Sequence, residues 1–281
     1  MLLEIFIFLI VAALIFELLD SSLGMGYGTL LSPLLLFLGF PVLVVVPSIL
    51  ITQAFGGLTA TYFHHKHGNA DFRISKNKEN ELKKQKGFNL ANFFKHELSV
   101  DLKTVCIVSL LGVFAVIFST IVAIKIPKEI LTLYISLLVI TMGIIILANK
   151  HLKYSGKKMV LVGAVSAFNK GLSGGGYGPV VTGGQMVLGK EEKSAVACTT
   201  AAEPLICIVG FISYFLLNGL ASWNLVFSLG IGAIIGGILG PIVTKKMDRK
   251  YFTIIVSVLM LVFGILSLLA LFGAISLKIS L

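Results

Sequence analysis

The chain has 281 residues, of which 57% are hydrophobic and 13% charged, with a formal net charge of +10. Soluble domains carry about 25% charged residues, so this composition, with a mean hydropathy of +0.99, excludes an ordinary soluble globule and indicates a polytopic helical membrane protein. The lysines cluster between apolar runs, where orientation signals belong, which argues against a nucleic-acid partner. Cys106, Cys198 and Cys207 all lie in apolar runs and give no disulfide framework or zinc spacing. Nothing in the sequence calls for a cofactor.

Leu2–Leu19 reads as a first apolar helix, with no basic residue before it as a cleaved signal would have. The stretch Asp20-Ser21-Ser22-Leu23-Gly24-Met25-Gly26-Tyr27-Gly28 is expected to break it. Thr29–Leu38 is apolar but only ten residues long. At 1.5 Å per residue it covers roughly 15 Å, half of a ~30 Å hydrocarbon core. It is therefore expected to be a half-helix in a hairpin with the first helix. After the turn at Gly39-Phe40-Pro41, Val42–Phe63 is long enough to cross.

Residues 64–99 form a long basic loop. Val100–Ile124 and Ile130–Ala148 are two further crossings, followed by a basic link at 149–158. The plan then repeats. Met159–Leu172 is apolar, Gly171-Leu172-Ser173-Gly174-Gly175-Gly176-Tyr177-Gly178 breaks it, and Pro179–Leu188 is another ten-residue piece. Ser194–Leu217, Trp223–Thr244 and Tyr251–Ala274 are three more crossings.

The repeat extends beyond the motif. At an offset of 150, Gly24, Gly26, Tyr27 and Gly28 match Gly174, Gly176, Tyr177 and Gly178, and Leu38-Gly39 matches Leu188-Gly189. Residues 1–149 and 150–281 are thus read as two transmembrane repeats. One hairpin and three crossings make an odd number of passes, so the second repeat is expected to be an inverted copy of the first. Fold class is then all-α: two inverted repeats, each a broken-helix hairpin plus three transmembrane helices. Lysine placement puts loops 64–99, 149–158 and 245–250 in the cytoplasm and both termini outside.

Irregular backbone in a bilayer is tolerated where protein or a water-filled cavity surrounds it. Two broken helices in matching places point to a binding site between the halves. Half-helix N-termini present free N–H groups and a positive dipole end, which suits an anion. Substrate contact is therefore expected at Ser22, Gly24, Gly26, Tyr27, Gly28, Lys170, Ser173, Gly174, Gly175, Gly176, Tyr177 and Gly178. The plainer alternative is that these glycines only allow close helix packing.

Gln53 and Glu203 occupy equivalent positions near the middle of their helices, and Asp20 and Lys170 are equivalent at the breaks. An ionisable group at that depth is a functional candidate. Glu203, Gln53 and Asp20 are expected to serve ion coupling, with a proton as the coupling ion. Asp20 is expected either to pair with Lys170 or to leave Lys170 for the substrate. Glu17 either faces the cavity or approaches the membrane surface. Ser21, Thr182, Gln185, Thr199 and Thr200 are weaker candidates for lining it, since such side chains often bond back within their own helix.

Two patterns compete with transport. Gly171-Leu172-Ser173-Gly174-Gly175 fits the G-x-S-x-G nucleophile elbow, but an elbow follows a strand and needs a nearby base. All five histidines lie at or beyond apolar boundaries. His64-His65-Lys66-His67 invites a metal reading, but no matching Cys or carboxylate set accompanies it.

The paired Gly-x-Gly-Tyr-Gly and Gly-Gly-Gly-Tyr-Gly breaks, each with a Leu-Gly turn and a following long helix, resemble the sulfite exporter TauE/SafE family, also called the TSUP permeases. The resemblance covers nearly all of the chain apart from residues 67–99, which read as an auxiliary insertion. It implies a secondary transporter, not an enzyme, for small sulfur-containing anions such as sulfite, sulfoacetate or other sulfonates. The broken-helix elements of the family match Leu18–Leu38 and Phe168–Leu188. Rocking of one repeat against the other would alternate access. An anion channel of the same architecture is the rival reading, and an intramembrane serine hydrolase on Ser173 a more remote one. Expected partners are the small anion, the lipid bilayer, a coupling proton and further copies of the same chain.

Overall fold

The computed structural model describes residues 2–73, 99–148, 156–187, 189–219, 222–244 and 249–275. Among them are ten helices and no strand. In chain order they are α1 (Leu2–Leu23), α2 (Tyr27–Phe37), α3 (Val42–Lys66), α4 (Val100–Lys125) and α5 (Lys128–Leu147). They continue as α6 (Gly156–Ser173), α7 (Gly178–Val187), α8 (Glu192–Asn218), α9 (Trp223–Val243) and α10 (Arg249–Leu271). Six of them (α3, α4, α5, α8, α9 and α10) are long and apolar enough to cross a membrane. Large apolar side chains such as Phe114, Phe118, Leu216 and Phe227 stand exposed on the outside, as a lipid-facing surface requires.

The two half-helices form as expected, but the breaks are shorter than the sequence suggested. Asp20, Ser21 and Ser22 stay helical, and the first break is confined to residues 24–26. The Ser21 hydroxyl donates to the Glu17 carbonyl at 2.6 Å and that of Ser22 to the Leu19 carbonyl at 3.2 Å, so both serve the helix they were expected to interrupt. Gly24 and Gly174 turn the chain at φ +75° in both repeats, a conformation other residues rarely adopt. Gly39 and Gly189 close the half-helices at φ +90° and +87°.

The repeats are inverted. Equivalent helices α3 and α8 pack antiparallel: a Cβ on Gly57 would lie 3.0 Å from Pro204 Cγ, and one on Gly210 3.1 Å from Leu50 Cδ1. Helices α5 and α10, equivalent at an offset of 121 that matches Ser136, Gly143 and Ile144 to Ser257, Gly264 and Ile265, do the same, with Ser136 bonded to Ser267 at 2.9 Å and Gly143 against the Ser257 carbonyl. Two equivalent helices that meet antiparallel are related by a two-fold axis across them.

The repeats also interlock. The principal partner of α1 is α9, and that of its equivalent α6 is α4. The α1–α9 seam is built on Gly232, Gly236 and Gly240, spaced four apart, which lie against the backbone carbonyls of Ile10, Leu14 and Leu18. Small residues at this spacing let helix backbones approach closely in lipid. Each broken helix is therefore held by a crossing from the other repeat.

Following the helix directions, the ends flanking loops 64–99, 149–158 and 245–250 fall on one side. The α7–α8 turn joins them there, since Lys190 Nζ lies 3.1 Å from Asp101 Oδ1 at the start of α4. In a variant lacking the native cysteines, Lys66→Cys and Glu191→Cys should react with an impermeant maleimide from the same side of the membrane. Lys125→Cys and Asn218→Cys should react only from the other.

Candidate functional site

The two breaks meet each other. A Cβ on Gly28 would fall on the Gly174 carbonyl, and one on the equivalent Gly178 would fall on the Gly24 carbonyl. A Cβ on Gly175 would stand 2.6 Å from the Thr29 nitrogen. The glycines are needed because two backbones occupy the space where side chains would otherwise stand. Local side chains complete the hydrogen bonding. Ser32 donates to the Ser173 carbonyl at 2.5 Å, and its equivalent Thr182 donates to the Gly24 carbonyl at 3.2 Å. The Ser173 hydroxyl donates to the Asn169 carbonyl at 2.8 Å and accepts from the Gly175 N–H at 3.1 Å. Within the nucleophile-like motif, Ser173 thus tethers the break.

Beside the crossing lies a buried polar cluster drawn from four helices. Gln53 of α3 is its hub. Its Nε2 donates to Asp20 Oδ2 of α1 at 3.1 Å and to Glu203 Oε2 of α8 at 2.9 Å. Its Oε1 accepts from the ammonium of Lys170 on α6. Lys170 Nζ is also 3.4 Å from Glu203 Oε1. Both amide hydrogens and the amide oxygen are in use, and the partners fix the amide orientation, because an ammonium can only donate. Among the described residues, Lys170 is the one buried lysine or arginine, 2% exposed. Asp20 and Lys170 are not a direct ion pair; Gln53 links them.

The two-fold is broken at this cluster. Asp20 Oδ1 accepts the Tyr27 N–H at 3.2 Å, so the N-terminus of α2 carries its own carboxylate. The equivalent of Asp20 is Lys170, so α7 has none at that position. The Tyr27 hydroxyl donates to Thr52 at 2.8 Å. The equivalent of Thr52 is Ala202, and the buried Tyr177 hydroxyl has no partner.

The other expected site residues are buried around this core. Thr199 accepts from Gln185 Nε2 at 2.9 Å, and its hydroxyl oxygen lies 2.9 Å from that of Thr182. Ser22 is buried on α1, and Gly26 and Gly176 are the matching positive-φ glycines inside the breaks. Tyr214, which the sequence gave no reason to single out, holds the Gly171 carbonyl at 2.8 Å.

His64 corrects an expectation. It stands in the last turn of α3 and is fully buried in the protein. Its Nε2 lies 2.8 Å from the Ser21 carbonyl and its Nδ1 2.9 Å from Asn69 Nδ2, so the ring is a neutral Nε2–H tautomer. It ties the end of α3 to the last turn of α1. No signal marked it, because the residues after it are polar. Among the described residues, no three His, Cys, Asp or Glu side chains are grouped to hold a metal ion.

A chain built of inverted repeats with paired broken helices and buried charge at their crossing has the architecture of a membrane transporter. The family model described as sulfite exporter TauE/SafE matches residues 9–77 and 86–267, and the chain belongs to that family. It is also similar to the probable membrane transporter protein YtnM of Bacillus subtilis (strain 168), 23% identical over 259 residues, which cover 86% of this chain and 76% of that protein. No solved structure matches. The family match also revises the reading of residues 67–99 as an insertion, because within that segment only 78–85 falls outside it.

Removing one member of a buried charged pair leaves the other uncompensated, at a cost of about 3–5 kcal/mol. Lys170→Met should therefore lower the thermal stability of the detergent-purified protein strongly. Adding Glu203→Gln should recover part of the loss, and unfolding midpoints of the four proteins in the cycle measure the coupling.

Proposed function

We propose that the protein is a secondary transporter of small sulfur-containing anions, sulfite or an organosulfonate, working by alternating access across a plasma membrane. The observation that carries this reading is the position of Lys170. The one buried ammonium among the described residues sits beside the crossing of two glycine breaks, in a chain of the sulfite exporter family. The site as seen is closed, with the breaks in contact and Lys170 held by Gln53 and Glu203.

On opening, the anion takes the place of Glu203 at the Lys170 ammonium. The N-terminus of α7, which lacks the carboxylate that α2 has, supplies N–H donors to the anion. The Tyr177 hydroxyl, buried and unpartnered, is a further donor within the second repeat. The Glu203 carboxyl, once released, takes a proton and couples the cycle to the proton gradient. Because the repeats interlock, each broken helix moves with a crossing of the other repeat, α1 with α9 and α6 with α4.

Purified protein in liposomes should accumulate labelled sulfite with saturating kinetics. Flux that never saturates would point to a channel instead. Gly175→Leu should reduce the rate at least tenfold, since even one added carbon there meets the Thr29 nitrogen. Unchanged flux would place the pathway elsewhere.

Glu203→Gln should abolish accumulation driven by a pH gradient while leaving sulfite–sulfite exchange intact. Accumulation that survives the substitution would remove Glu203 from the coupling step.

A further inference from the structure

One buried acid stands outside the hydrogen-bonded cluster. Glu17 lies one turn before Asp20 on α1 and is 0% exposed, yet neither carboxyl oxygen has a hydrogen-bond partner. Its niche is shaped by glycine. A Cβ on Gly56 of α3 would stand 2.7 Å from the carboxyl carbon, and a Cβ on Gly236 of α9 would stand 2.8 Å from Glu17 Cβ. Any larger residue at 56 would close the space the carboxyl occupies.

The fold does not require an acid at this position. The equivalent residue in the second repeat is Ala167, equally buried, and it packs against α4 beside Gly112. A methyl group serves the seam between broken helix and crossing there. The carboxyl of Glu17 is an addition to one repeat only.

Its surroundings decide its state. Asp20 faces it from its own helix, Glu203 from α8 and Lys170 from α6. From α3 comes Gln53, already fully bonded, and the Tyr27 phenol at the start of α2 and the Cys207 thiol of α8 are the other titratable groups that interact with Glu17. Nothing on α9 titrates. Three carboxyls thus share one ammonium, and that ammonium is engaged elsewhere. An ionised carboxylate without donors or a counter-ion does not persist in such a place; the group neutralises instead.

We propose that Glu17 is a proton-binding site of the transport cycle, separate from Glu203. This rests on the transporter reading above. In the closed arrangement Glu17 is a neutral acid. When the niche is wetted from one side the carboxylate takes a proton from water there, and the niche closes on the neutral acid. Wetted from the other side, the carboxyl O–H passes that proton to water and leaves a carboxylate, which the Lys170 ammonium, free of Glu203 once Glu203 is protonated, compensates on the return. One proton crosses and no other bond changes.

The first test needs no substrate. Infrared spectra of the full-length protein in lipid at neutral pH, wild type minus Glu17→Gln, should show the carbonyl stretch of a protonated carboxyl lacking hydrogen bonds. Glu203→Gln should leave that band in place. No difference band, or a band that vanishes when sodium is added at constant pH, would overturn the proposal, the second outcome indicating a cation site. The second test follows labelled sulfite and an internal pH dye in the same liposomes. Glu17→Gln should lower the number of protons moved per sulfite, and an unchanged ratio would overturn the role in the cycle. A wild type that moves no sulfite overturns the transport reading, while the infrared band still reports whether Glu17 holds a proton. Glu17→Ala, copying residue 167, serves both tests if the glutamine variant does not fold.

Discussion

A broken helix inside lipid has no water to satisfy its freed backbone groups. Everything at the centre of this protein follows from how that demand is met. Each break is covered by the other, backbone on backbone, through Gly28 and Gly174 on one side and Gly178 and Gly24 on the other. Hydroxyls from Ser32, Ser173 and Thr182 and the carboxylate of Asp20 take up what the glycines leave. A contact this close leaves no room for a Cβ, which is why the glycines come in matched sets. It also means that separating the two breaks exposes polar backbone from both at once, so the site opens to water as a unit.

The two-fold arrangement explains the architecture, and its violations gather at the buried charges. Where structure alone is at stake, the repeats agree: Gly24 with Gly174 and Gly39 with Gly189 share their dihedral angles, and Ser32 and Thr182 do the same work. Where charge is at stake, they differ. Asp20 faces Lys170, Gln53 faces Glu203, and Glu17 answers to Ala167. Inverting a repeat places equivalent residues at mirrored depths that coincide only at the axis, so an unlike pair of equivalent residues there becomes a contact network. Gln53 can bridge Asp20, Glu203 and Lys170 only because the axis passes close to all four.

Much of this was legible in the sequence for a definite reason. The ten-residue apolar pieces are too short to span, and the glycine matches at one fixed offset tie them to a duplication. The same offset paired Asp20 with Lys170 and Gln53 with Glu203. What was not legible depends on tertiary contact. Asp20, Ser21 and Ser22 look like a break, but the serine hydroxyls bond back into α1 and the helix runs on. His64 looks like a boundary residue, yet it turns inward to the Ser21 carbonyl. The glycine stripe of α9 shows that it packs closely, but not that its partner is α1 of the other repeat. The near-uniform hydrophobicity of these helices hides which face meets protein and which meets lipid, so helix pairing could not be read from periodicity.

The charge balance constrains how an anion could be carried here. With Asp20, Glu17 and Glu203 ionised, the centre would hold three negative charges against one positive, and an entering anion would make the imbalance worse. In a low-dielectric interior that combination is strongly unfavourable. Protonating a carboxyl both removes a negative charge and weakens its hold on Lys170, which leaves the ammonium free to meet the anion. The two binding events then favour each other, and linkage makes the effect reciprocal: whatever the proton adds to anion affinity, the anion adds to proton affinity. On this reading, coupling does not require a separate device. It would follow from placing one ammonium among several acids where two broken helices meet, with Gln53, neutral and bonded to three of them, holding that arrangement together.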